Sequence, residues 1–551
     1  MKNCILGILF FFSFSLFAQD KSKIPFTFNG SIQSDILFPQ EDATIGAESY
    51  DEFARTNTYI DLNLASAYLD AGTRFEYLKY PLPGFNDLGF AGWGVPFFYA
   101  TGKYKKVKLT VGDFYDQFGS GLIFRTYEDR NLGIDNSIRG ARLAYEPYKG
   151  IQFKALGGTQ RRYWEHNEGY VLGTDLELSI DQWIKKMEES NTFLTIGGSF
   201  VSKHEPDEVI TTDATHRLNL PENVGAFDIR ARLQKGNYTF LAEYAEKAND
   251  PSFDNNYIYK NGTALLVSGS YSKTGLSVLL QAKRSDNMSF RSDRSRTLNS
   301  SFINFLPPFT MLQSYALAAI YPYGTQTGGE WAFQGNIAYT FQKNTALGGK
   351  YGTALKLNVS HIRSINKEYV STYDGTKNSL KGTNGYTSSF FKFGDELYYQ
   401  DINLAIDKVF TKKFKLNLMY MNQSFNQGVV QGHNDMVYSN IFITEGKYTI
   451  NRKLTLRSEL QYLQTKQDKG DWLYGLLELS ILPSFMVTLS DMYNSGETHV
   501  HYYKALLTYT RDSHLLQVGY GRTREGYDCS GGICRQVPAS KGFIVSYNFM
   551  F

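Results

Sequence analysis

Cysteine, histidine and proline are all scarce in this chain of 551 residues, and no long apolar run follows its first eighteen. Of three cysteines, only Cys529 and Cys534 lie beyond the amino-terminal segment. Their spacing in "YDCSGGICRQ" is too wide for a CxxC redox pair, and a thiol metal site would need further ligands nearby. An even pair in an exported chain reads as a disulfide staple across the turn 530–533. Eight histidines give little material for catalysis, and no Gly-x-Ser-x-Gly stands with a plausible His and Asp set. Proline numbers 14, and no linker or composition shift marks a boundary between domains. Net charge is +3 from 57 basic and 54 acidic groups, so nothing points to nucleic acid. Without a run of about 20 apolar residues after residue 18, no transmembrane helix is expected.

The first residues, "MKNCILGILFFFSFSLFAQD", have the form of a secretory signal peptide: Lys2, an apolar stretch from Ile5 to Phe17, and a small residue, Ala18, at the expected cut. Cys4 stands too early to be a lipidated amino terminus. Residues 1–18 are therefore assigned to the signal and 19–551 to a single domain. No TonB-box or plug domain is evident before residue 24.

What the chain has in quantity is aromatic residues and glycine: 40 Tyr, 40 Phe and 49 Gly. These favour strands and turns. Alternation recurs throughout. In "FDIRARLQ" Phe227, Ile229, Ala231 and Leu233 oppose Asp228, Arg230, Arg232 and Gln234; "KLTLRSELQYL", "KFKLNLMY" and "LSVLLQAKR" behave alike. Turns of a few residues ("QKGN", "YSKTG", "RDSH") alternate with long polar stretches at 38–56, 205–222, 287–308, 364–392 and 525–541. Tight turns at one end and long loops at the other are the layout of a transmembrane β-barrel. Tyr59, Tyr80, Tyr99, Tyr339, Phe341 and Trp472 fall near strand ends, as interfacial girdles would. The expected fold is all-β: a large antiparallel transmembrane barrel of 24 to 26 strands, polar inside. Strand parity clashes somewhere within 287–363, and a short helix is expected at 181–190. The closing strand "GFIVSYNFMF" should pair with 24–38, since a sheet in lipid has no free edge.

The run "GDFYDQFGSGLIFRTYEDRNLGIDNSIRGARLAYEP" (112–147) resembles the signature stretch of an uncharacterised Bacteroidota outer-membrane β-barrel family. The segment "YALAAIYPYGTQTGGEWAFQGNIAYTF" (315–341), the ending "SLFAQ" of the signal and the terminal "SYNFMF" agree with it. The resemblance spans nearly the whole chain. It implies an outer-membrane location and a barrel, but no substrate. Phe551 resembles the terminal aromatic by which insertion machinery recognises such barrels. The partners expected are outer-membrane lipid, lipopolysaccharide, that machinery and other envelope proteins; no cofactor is called for.

Residues 112–147 also concentrate charge: Asp113, Arg125, Glu128, Asp129, Arg130, Asp135, Arg139 and Arg142. A charge on a lipid face at midplane costs about 2–4 kcal/mol, so these are expected inside. They form either a luminal constriction setting a transverse field over hydrophilic solutes, or a salt-bridge network bracing a plugged barrel that serves as a scaffold subunit of an envelope machine. The cluster Lys283, Arg284, Arg291, Arg294 and Arg296 is expected in a solvated loop able to meet lipopolysaccharide phosphates, and Glu41, Asp42, Glu48, Asp51 and Glu52 in another. His499 and His501 share a strand face without a third ligand. His166, His204 and His216 fall in predicted loops; nothing in their spacing selects them for catalysis.

Overall fold

The computed structural model describes residues 26–85, 89–212, 214–297, 299–370 and 381–551; the expected signal segment lies outside them. Twenty-four strands, each antiparallel to its neighbours, form one closed sheet. Closure is made by the first strand, Thr27–Pro39, and the last, Ser540–Met550, in register from Ser31↔Met550 to Pro39↔Gly542. The final residue belongs to the seam. Phe551 and Gly30 exchange both backbone hydrogen bonds at 3.0 Å, and the Phe551 ring lies 5.8 Å from Phe28 and 5.5 Å from Phe549. No row of amides is left open at that border, which satisfies the requirement that lipid imposes on a backbone.

The alternation read from sequence is the inside–outside alternation of the wall. On Asn223–Lys235, Phe227 and Ile229 are 43% and 60% exposed on the outer face, whereas Asp228 and Arg230 are 1% and 8% exposed within. Connections at one end are tight; 236–237 and 274–275 join strands through Gly236 and Gly275, whose positive φ a hairpin of this length favours. The longest connection at that end, 180–191, carries the short helix Lys185–Glu189. At the other end lie the long connections, including 40–54, 115–137, 205–222, 287–328 and 524–539.

Two features depart from the sequence reading. Among the described residues of 287–328 there is no barrel strand, which resolves the parity clash; apolar side chains of the segment enter the lumen instead. Among the expected girdle residues, Tyr59 and Trp472 face the interior and are buried, and Tyr99 reaches Asn63 (3.4 Å) on the inner face. Tyr339 stays on the outer face.

The seam yields a test. A β-carbon on Gly542 would lie 2.0 Å from the Phe38 carbonyl oxygen, whereas one on Gly198 finds its nearest atom at 3.5 Å. Gly542→Val is expected to abolish the folded, heat-modifiable band on semi-native electrophoresis, and Gly198→Ala to leave it intact.

Candidate functional site in the barrel lumen

The chain leaves the wall after Phe114, runs through 115–137 and rejoins it at Ile138. Asp116, just inside, receives Arg142 and Lys154 (2.9 Å) from the inner wall. The stretch Phe118-Gly119-Ser120-Gly121 is the tip. Gly119 and Gly121 have positive φ, and Ser120 N–H donates to the Glu243 carboxylate at 2.9 Å. A side chain at residue 119 would collide with that carboxylate, 2.7 Å away. Phe118, Leu122, Ile123 and Phe124 are fully buried behind the tip.

Against them packs the second inward segment, 287–328. Arg125 N–H donates to Ile303 O and Phe305 N–H to Gly121 O, both at 2.9 Å, and Asn304 donates to Leu122 O. Phe290, Ile303, Leu306, Phe309, Leu317 and Ile320 complete one apolar core with inward wall residues such as Val171, Val201, Met421 and Leu463. The segment is moored to the far wall by Leu317 N–H on Gln461 (2.8 Å) and by the Tyr315 hydroxyl on Glu445 (3.3 Å). Above it sits the hairpin Gly526–Ser530/Ile533–Val537, closed by the Cys529–Cys534 disulfide. Its Gly532 O and Cys534 O accept from Thr325 N–H (2.8 Å) and Asn299 (3.1 Å), and Arg535 donates to Asn131 O. One hairpin therefore holds both inward segments.

Burial changes along the lumen. Near the tight-turn end Lys356 pairs with Asp407 at 2.8 Å, both half exposed to water. Further along the same two strands Asn358, Ser360, Ile362, Asn403, Asp401 and Tyr399 are all buried. Three strands further round the wall, Arg457 is bound to Glu445, Glu459 and Glu478 and stays about a quarter exposed. The tight-turn half of the lumen is a polar vestibule; the long-loop half is filled.

Besides Arg142, already met on Asp116, the charges expected inside from 112–147 separate into three groups. Glu128, Arg130 and Asp135 enter a network with wall residues that the sequence did not single out: Asp61, Arg74, Glu76 and Arg161. Arg74 reaches Asp61 (2.8 Å), Glu128 (2.9 Å) and Asp135 (3.0 Å). Arg161 reaches Glu76 (2.8 Å) and Asp135 (2.5 Å), and Arg130 reaches Glu128 (2.5 Å) and Asp61 (2.8 Å). Burial works against the Asp135 carboxylate, but Arg161 and Arg74 hold it below the usual carboxylate range; burial leaves Glu128 above it. Arg125 stacks on Phe305 (4.0 Å) and Tyr127 (4.6 Å), and Asp129 caps the amides of Asn131 and Leu132. The third group departs from expectation. Asp113 and Arg139 lie opposite each other on the outer face, in the phase of Leu109 and Val111, and bind each other at 2.8 and 2.9 Å.

The basic cluster is likewise not a solvated loop. Lys283 pairs with Glu330 at 2.7 Å in the filled lumen, both side chains wholly buried. Arg284 meets Asp286, Arg291 meets Asp254 and Arg294 meets Glu205 at 2.7–3.3 Å, all three arginines buried; only Arg296, beside Asp293, stays partly exposed. At the rim, Asp42 from the acidic stretch is held by Arg522 (2.7 Å) and Lys541 (3.1 Å). His501 binds Asp491 at 2.6 Å.

A closed, even-stranded antiparallel barrel with an apolar outer face and a stoppered polar interior is an outer-membrane β-barrel. The chain belongs to a family of unknown function, DUF6029, whose model matches residues 1–551. No curated protein matches it. Among solved structures it is similar to the P pilus usher PapC translocation pore (TM-score 0.44, 10% identity, 96% of this chain and 99% of that one). It is also similar to the siderophore receptor PirA of Pseudomonas aeruginosa (0.41, 10%, 95% and 80%) and to OccK1 of the same organism (0.35, 9%, 96% and 99%).

Two outcomes follow. Asp135→Asn leaves Arg161 and Arg74 short of a buried counter-charge, and is expected to destabilise the folded barrel by about 3–5 kcal/mol at pH 7. Because Asp135 is more acidic folded than unfolded, its contribution is complete above about pH 4 and is lost as the pH falls through the lowered value. The difference from wild type in thermal unfolding should therefore narrow below about pH 4. Phe118→Ala, which empties a fully buried ring site, is expected to cost about 3–5 kcal/mol in the same assay.

Proposed function

We propose that this protein is a sealed outer-membrane barrel acting as a scaffold subunit of an envelope assembly, in preference to a standing porin-like channel for hydrophilic solutes. The observation that carries the reading is the apolar core joining 115–137, 287–328 and the inner wall. A porin constriction leaves a water path beside its charges. Here the opposed charges of Glu128, Arg130 and Asp135 are spent on one another and on the wall, behind buried Phe118, Leu122 and Phe124. Partners on this reading are lipid and lipopolysaccharide around the wall, the insertion machinery that reads Phe551, and envelope proteins at the rim or the vestibule. A second reading, a transporter whose stopper shifts, draws on the polar vestibule, to which Arg457 and Lys356 contribute charge.

Planar-bilayer recording separates them. Wild-type protein is expected to give no steady conductance, and replacing residues 289–326 by a short Gly-Ser linker should produce stable open steps. Steady currents from wild type would overturn the sealed reading. A solute- or partner-dependent current would favour the second.

A further inference from the structure

The barrel wall has a notch on its outer face. Strand Gly92–Tyr104 is paired along its earlier edge from Gly92 onward, but along its later edge only over Tyr99–Tyr104. Its neighbour, Val107–Phe114, stops there because the chain turns into the lumen, and Ile138–Tyr145 is equally short. Strand Ile151–Arg162 continues past both. Between Gly92–Phe98 and the end of Ile151–Arg162 the sheet therefore lacks two strand lengths. Pro96, which has no N–H to offer, occupies the free edge, beside a β-bulge at Val95–Pro96.

Side chains stand in for the missing strand. The Asp113 carboxylate accepts the Phe98 N–H (2.8 Å), and Arg139 donates to the Pro96 carbonyl (2.7 Å). Trp164 bridges the top, its indole N–H on Phe90 O at 3.1 Å. What remains is a cavity of about 390 Å3, lined by Trp93, Val95, Arg139, Trp164 and His166 among others. Its outer lip is lipid-facing: Trp93 and Val95 belong to the exposed apolar surface. Its inner side carries charge. His166 Nε2 lies 3.8 Å from Asp113, and Arg139 stacks over Phe98 at 4.6 Å with its side chain 34% exposed. Arg139 uses Nε and Nη2 on Asp113 and Pro96, while no bond is made by Nη1 among the described residues.

An ionisable pair on the lipid-facing phase of a membrane strand is costly and marks a functional site by default. We propose that the notch binds an acidic amphiphile from the surrounding leaflet, its phosphate or carboxylate head on Arg139 Nη1 and its apolar part along Trp93 and Val95. The lip supplies the apolar contact, the unused guanidinium N–H pair the charge-assisted hydrogen bonds, and the gap in the sheet the lateral entry. This site is independent of whether the stopper moves.

The test uses the full mature barrel in non-ionic detergent, titrated with phosphatidylglycerol brominated on one acyl chain, with tryptophan fluorescence as readout. Saturable quenching is expected, half-complete at a concentration about ten-fold lower than for brominated phosphatidylcholine. Arg139→Gln should erase that preference. Because Arg139→Gln also frees Asp113, Val95→Phe provides a second variant that fills the mouth, leaves the ion pair alone and adds no fluorophore; it should abolish the saturable component. Equal quenching by both lipids, or quenching unchanged in Val95→Phe, would overturn the proposal. Competition by inorganic phosphate alone, as tight as the lipid itself, would make the site one for a free anion and overturn the amphiphile.

Discussion

A backbone amide in hydrocarbon has no water to fall back on, and the rest of this architecture follows from that constraint. It forces the sheet to close, so the first and last strands meet and even Phe551 exchanges hydrogen bonds with Gly30. It also makes any break in the sheet conspicuous. Where two strands stop short, beside Gly92–Phe98, the carboxylate of Asp113 and the guanidinium of Arg139 take up backbone groups that a neighbouring strand would have met. The outer face can be largely apolar because its burial is in lipid; the interior then has to solve a different problem.

Twenty-four strands enclose a lumen wider than their own inward side chains can fill. The protein fills half of it with loop. The filling resembles a soluble protein core turned outside in: apolar residues of 115–137 and 287–328 gather centrally, and their shell meets the polar inner wall through paired charges. Buried ion pairs such as Lys283–Glu330 and Arg161–Glu76 are weak sources of net stability against an apolar substitute. The pairs that do cross from wall to stopper, Arg161–Asp135, Arg74–Glu128 and Arg130–Asp61, fix where the segment 115–137 sits.

The wall was legible in the sequence because period-two alternation survives wherever one face meets lipid, as in Phe227–Leu233. The stopper was not. Phe290, Ile303, Phe305 and Leu306 have no periodicity, and they occupy a connection that by length alone reads as solvated. That is why strand parity failed across 287–363, and why Arg291 and Arg294 read as solvated; Arg284 stands on the strand Leu276–Asp286 and is covered instead by Ser388 and Phe390. The network around Asp135 was half legible: Glu128 and Arg130 stand in a dense run, but Asp61, Arg74, Glu76 and Arg161 are single inward charges scattered over distant strands. Asp113 and Arg139 misled for another reason. Their charge argued for the lumen, and only the early termination of Val107–Phe114 gives an outward pair a place to be.

Both inward segments are covalently continuous with the wall at each end, and the hairpin stapled by Cys529 and Cys534 bears on the two together. A stopper held in this way has no dissociated state. Whatever displaces it must fold it aside within the same molecule, and its return is governed by a local concentration that dilution, washing or loss to the surroundings cannot lower. On the sealed reading, a stopper folded aside would return without the capture of any separate part.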